Sequence, residues 1–133
     1  MTLKMLSLAA IAASLIAAPA FAHHSFAMFD QSKVVALDGT VTEFEWVNPH
    51  SWVHFIALGP KGEQLEYSIE LASVTQQARI GWKADTLHPG DKIHIEFNPL
   101  KDGSRGGTLV SVTLADGQKL GHGGQTNNPL GRN

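Results

Sequence analysis

The chain has 133 residues, twelve acidic against ten basic side chains, and no cysteine. Without cysteine there are no disulfides, thiolate metal sites or thiol catalysis. The mildly acidic balance argues against nucleic acid, which requires a basic stripe, and a single domain of this length can bury a core of its own.

The first residues read as an export signal. Lys4 is the one charge at the start, the apolar run Leu6 to Ala18 follows, and Pro19-Ala20-Phe21-Ala22 ends it. A basic start, a short apolar stretch and an A-x-A sequence predict cleavage after Ala22, with residues 1–22 removed. The run is shorter than the ~20 residues that span a bilayer, so no membrane anchor is expected after cleavage. The remaining 111 residues would begin His23-His24-Ser25-Phe26 and, without Lys4, carry nine basic and twelve acidic residues, a formal charge of −3.

Residues 23–32 show no clear periodicity and predict an N-terminal arm that Phe26, Met28 and Phe29 dock on the body. From Val35 the pattern has period two, with Val35, Leu37, Gly39 and Val41 on one face. The apolar phase then slips to Phe44 and Trp46, which predicts a bulge near Thr42-Glu43, while Gly39 predicts a bend. The Asn48-Pro49 pair breaks the segment at a corner carrying His50. A second strand is expected over Ser51 to Leu58, apolar on both parities, and a third where Leu65, Tyr67, Ile69 and Leu71 alternate with polar residues. Ser73 and Gln76 have the spacing of a capping box and open a short helix to about Gly81, with Val74, Ala78 and Ile80 expected inward. Lys92 to Phe97 and Thr108 to Leu114 read as strands, joined by a glycine-containing loop. Asp116-Gly117 predicts a hairpin turn into a short strand ending near Leu120. Residues 121–133 lack the apolar content to fold and are expected to be a disordered tail.

Three strands, a helix and two strands give an all-β fold with one short helix, a small OB-type five-stranded Greek-key barrel over residues 33–120. A flat sheet with one covering helix is the alternative, and the bulged first strand favours the barrel.

Several local sequences stand out: His23-His24-Ser25-Phe26-Ala27-Met28-Phe29-Asp30, Leu37-Asp38-Gly39-Thr40-Val41, Asn48-Pro49-His50-Ser51-Trp52, Gly81-Trp82, Leu87-His88-Pro89-Gly90-Asp91 and Asp102-Gly103-Ser104. Through them most of the chain resembles a domain-of-unknown-function family of small exported proteins from Gram-negative bacteria. The resemblance implies a periplasmic, β-barrel-like domain and supplies neither an activity nor a catalytic residue.

Imidazoles are the conspicuous chemical resource, and the available metal donors are nitrogen and oxygen. If His23 becomes the first residue, its α-amine and ring can chelate Cu(II). His24 offers a second mode through amine, amide and side chain, and His50 at the corner is a third candidate ligand. Two polar residues after a cleavage site are also what an accessible flank requires. His50 and His54 flank Trp52, but four strand residues at about 3.3 Å each separate them by ~13 Å, too far to share an ion on a straight strand. His88 and His94 read as turn and surface residues, and His122 falls in the tail. Glu43, Glu45, Glu66 and Glu70 read as scattered over exposed strand faces. Trp46, Trp52 and His54 are the candidate ligand-binding residues; Trp52 is equally readable as a stacking platform or a core filler. No nucleophile elbow, HExxH or phosphate-binding loop occurs, so no enzyme is expected.

The sequence therefore supports a periplasmic, non-enzymatic binding domain for Cu(II) or another late transition metal through His23, with His24 or His50. The alternative is a metal-independent protein- or glycan-binding module using Trp52 and the face of strands 2 and 3.

Overall fold

The computed structural model describes residues 26–123. The expected export signal, His23 and His24, and the tail from residue 124 lie outside the described residues. The elements are β1 (Val35–Glu45), β2 (Trp52–Leu58), β3 (Gln64–Glu70), α1 (Val74–Arg79), β4 (Lys92–Pro99), β5 (Gly106–Thr113) and β6 (Lys119–Gly121). The sheet order is β3-β2-β1-β4-β5-β6, and a parallel pairing of β3 with β5 closes the first five strands into an OB-type barrel.

Closure depends on β1, the longest strand. Its first half, Val35 to Thr40, pairs with β4, and its second half, Thr40 to Glu45, pairs with β2. One strand thus serves two neighbours in succession, which requires it to bend and twist between them. The register with β2 shifts between Val41 and Glu43, leaving Thr42 as the extra residue of a bulge. The slip in apolar phase had this cause: Val41 faces inward, and Phe44 rather than Glu43 is the next residue packed on the core.

Gly39 sits where β1 changes partners. A Cβ at this position would collide with the ring of Phe55 and lie 2.9 Å from the carbonyl oxygen of Ile56. The close approach of β2 to β1 is therefore possible only without a side chain.

Alternation along the strands builds the core. Val53, Phe55 and Ala57 of β2, Ile69 of β3, Ile93, Ile95 and Phe97 of β4, and Leu109 and Val112 of β5 point inward and are buried. Trp52, His54, Ile56 and Leu58 take the other parity and face outward. Trp82, which follows α1, fills the core at 1% exposure, with its ring centroid 5.7 Å from that of Phe44. Phe29 docks the arm: it is buried, bridges to Leu100, and is followed by a bond from Asp30 N–H to the Pro99 carbonyl. Met28 contributes less to this docking, being partly exposed.

Two expectations are corrected. The capping box of Ser73 and Gln76 forms, but the buried residue of α1 is Gln77, while Ala78 and Ile80 are exposed. With only six residues the helix has no full apolar face. Gln77 is drawn inward because its Oε1 accepts the Gly123 N–H at 3.0 Å. That bond, with the Trp82 Nε1–H donated to the Gly121 carbonyl at 3.0 Å, also anchors residues 121–123. His122 lies between these two bonds, half-buried, and is not part of a free tail.

The Gly39 contacts predict that Gly39→Val destabilises the domain by at least about 2 kcal/mol, the cost of forcing a side chain into a packed site. That corresponds to a Tm lower by roughly 10 °C for a domain of this size. In an unconstrained strand valine would be neutral or favourable, so a variant melting at or above the parent temperature in thermal unfolding would refute this account of β1.

Candidate metal centre

The bulge at Thr42 decides what faces outward. Without it, Glu43 would stand opposite Val53, an inward residue. With it, Glu43 pairs with His54 and Glu45 with Trp52, so both carboxylates join the outer face of β2. Glu43, Glu45 and His54 converge there, each offering one ligand atom, and these atoms lie within 4.8 Å of one another.

His54 is held from two sides. Its Nε2 lies 2.7 Å from Glu45 Oε1, and its Nδ1 lies 2.8 Å from Ser68 Oγ on β3. Because a carboxylate only accepts, Nε2 carries a hydrogen in this arrangement, whereas the Ser68 hydroxyl can donate to Nδ1 or accept from it. The Trp52 ring lies nearly parallel to the imidazole, 14° between planes and 6.4 Å between centroids. His54 is about one quarter exposed and Glu45 a little more than one third. Among the described residues, the ion pairs bring no lysine or arginine to Glu43 or Glu45. His54 is bonded to Glu45, and Glu43 stands within 4.8 Å of both without an ion pair among the described residues.

His50 forms a separate arrangement. Its Nδ1 donates to the Leu71 carbonyl at 3.0 Å and lies 3.1 Å from Glu70 Oε1. Asn48, at the same corner, accepts the Val74 N–H and so ties the corner to the start of α1. His122 lies close enough to feel a charge on His50. Burial, and secondarily that charge, holds its imidazolium below the ordinary histidine range. The structure thus brings neither His50 nor His122 into the group around His54.

The remaining candidates are placed as follows. Trp52 is on the outer face, and the core filler is Trp82. Trp46 packs on Phe44 at 5.8 Å, against the core and apart from Trp52 and His54. His94 is exposed and bonded to Asp38 at 2.7 Å, and His88 lies in the turn near Asp91. Glu96 is engaged elsewhere: the Ser111 hydroxyl, and then Lys119, hold its carboxyl below the usual range. An open groove of about 670 Å³ is lined by Thr40, Ile56, Leu58, Lys92 and His94 among others. Within it Lys92 Nζ donates to the Thr40 hydroxyl, and the His94 ring is engaged with Asp38.

The sequence reading took Glu43 and Glu45 as scattered over exposed faces and did not single out Ser68. The signal for the first two was present: reflecting the chain about Asn48-Pro49 sets Glu45 against Trp52 and Glu43 against His54. Ser68 stands opposite His54 in the regular β2–β3 register.

No curated protein and no solved structure matches this chain. The model of the family of unknown function DUF6152 matches residues 11–111, a span that holds His50, Trp52, His54, Ser68 and both carboxylates, and the chain belongs to that family.

Proposed function

We propose that the protein is an exported, non-enzymatic domain that binds a late first-row dication, with Glu43, Glu45 and His54 as its ligands. The observation that carries this reading is the convergence of the three ligand atoms within 4.8 Å across β1 and β2. One imidazole nitrogen and two carboxylates suit Zn(II) and its neighbours. A dication would offset the negative charges of both Glu43 and Glu45. The partly exposed face leaves further coordination positions to water, so the ion would exchange readily. The metal-independent module remains the rival, supported by the outward Trp52 ring on the strand 2–3 face that OB-type barrels use for ligands.

Tag-free full-length protein carrying His23→Ala and His24→Ala should bind one equivalent of Zn(II) in competition with a chromophoric chelator. Zinc at about 100 times its Kd should add about 2.7 kcal/mol of stability. His54→Ala and Glu45→Gln should each weaken binding by about tenfold or more, and His94→Ala should not. Affinity should fall on acidification, because imidazole and carboxylates bind metal deprotonated. Unchanged zinc affinity in both His54→Ala and Glu45→Gln would leave the metal-free module as the better reading.

Export is proposed from the sequence, with cleavage after Ala22 into the periplasm. There the free amine and ring of His23 would form an additional Cu(II) chelate. Intact mass of the periplasmic product should match a chain starting at His23, and one extra N-terminal residue should abolish the tetragonal Cu(II) EPR signal of that chelate. A full-length cytoplasmic product would overturn both statements.

A further inference from the structure

Ser68 has a chemical freedom that the three ligands lack. It stands on β3 directly opposite His54, and its hydroxyl is 2.8 Å from Nδ1. The position is fixed by backbone. Ser68 pairs with Gly106 of β5 at the seam that closes the barrel, and its N–H donates to the Arg105 carbonyl. A Cβ at Gly106 would lie 2.8 Å from the Ser68 carbonyl oxygen, so the two strands are in close backbone contact there.

Resting on the metal reading above, we propose that Ser68 is the positioning residue that lets His54 change tautomer when the ion enters. In the arrangement seen, a neutral His54 donates Nε2–H to Glu45 and accepts the Ser68 hydroxyl hydrogen at Nδ1. An ion between Glu43, Glu45 and Nε2 needs the Nε2 lone pair. The imidazole hydrogen must then reside on Nδ1, where it needs an acceptor. The Ser68 oxygen supplies it once the hydroxyl rotates and directs its own hydrogen away. The proton count on a neutral ring is unchanged: one hydrogen leaves Nε2 and one is taken up at Nδ1, exchanged through water. A carboxylate at residue 68 could only accept and an ammonium only donate, whereas a hydroxyl does both without moving its oxygen. A hydrogen bond to the second ring nitrogen is also what orients a metal-bound histidine and raises its basicity. The ligand class follows: a dication that accepts one nitrogen and two oxygens, taken up at a site whose third strand contributes orientation and no donor.

Zinc is the probe, on the same tag-free His23→Ala/His24→Ala chain. Ser68→Ala should lower zinc affinity by about tenfold to a hundredfold, the usual effect of losing such a partner. Ser68→Thr, which keeps the hydroxyl, should restore affinity to within about threefold of the parent, a tolerance set well inside that range. Ring-nitrogen NMR should show His54 carrying its hydrogen on Nε2 without zinc and on Nδ1 with zinc, and Ser68→Ala should leave the thermal midpoint of the metal-free protein near that of the parent. Parent-like zinc affinity in Ser68→Ala, or zinc held by Nδ1, overturns the role of Ser68 while the metal reading stands. Zinc affinity indifferent to His54→Ala and Glu45→Gln overturns that reading and this inference with it.

Discussion

Everything in this domain depends on β1 serving two neighbours in succession. A regular strand keeps one set of side chains on one face and one partner on each edge. Here the first half must lie along β4 and the second half along β2, so the strand has to rotate its faces part of the way along. Gly39 admits the Phe55 ring at the changeover, and the extra residue Thr42 resets the parity three residues later. With these two devices, Val41 and Phe44 both face the core although an odd number of bonds separates them. The parallel pairing of β3 with β5 can then close the barrel.

The same bulge generates the candidate site. Parity shifts at Thr42 for the sake of the core, and the price is that Glu43 and Glu45 are turned together toward β2. His54 is opposite because the Asn48-Pro49 corner folds the chain back symmetrically about itself. The site is therefore a consequence of closure, built at little additional cost in backbone order. Its charges lie on a half-exposed face, where desolvation is small compared with that of a buried ion cluster. That placement is compatible with the core beneath it, where Val53 and Phe55 flank His54 in sequence and point the other way.

How far the sequence could be read follows from the range of each interaction. Strand alternation and capping-box spacing are local, and the strands, the bulge and the capping box were legible from them. Gly39 was legible as the place of a bend, and its cause is the close approach of Phe55 and the Ile56 carbonyl. The candidate site was less legible because its residues come from two strands, and counting along β2 alone measures only the separation of His50 from His54. Glu43 and Glu45 looked scattered so long as parity was counted straight through Thr42. The inward face of α1, expected at Ala78 and Ile80, and His122 were misread for a related reason. Composition says that a glycine-rich tail cannot bury apolar surface, but it is silent on the bond that Trp82 donates to Gly121 and the one that Gln77 accepts from Gly123, which hold residues 121–123.

The position of the carboxylates along β1 bears on what an ion would do for the fold. Pairing with β4 ends at Thr40, so beyond the bulge the ladder of β1 continues on the β2 side alone. Glu43 and Glu45 lie in this singly paired extension, on the face opposite Phe44, which holds the extension to the core. Their mutual repulsion acts on the same segment, eased by the single bond from His54 to Glu45. A dication bound across Glu43, Glu45 and His54 would add an outer-face link between the extension and β2, and Ser68 would carry the restraint to the β3–β5 seam. The stabilisation would then be local to the end of β1 and would add to that of the core, because the inward residues of the barrel take no part in it.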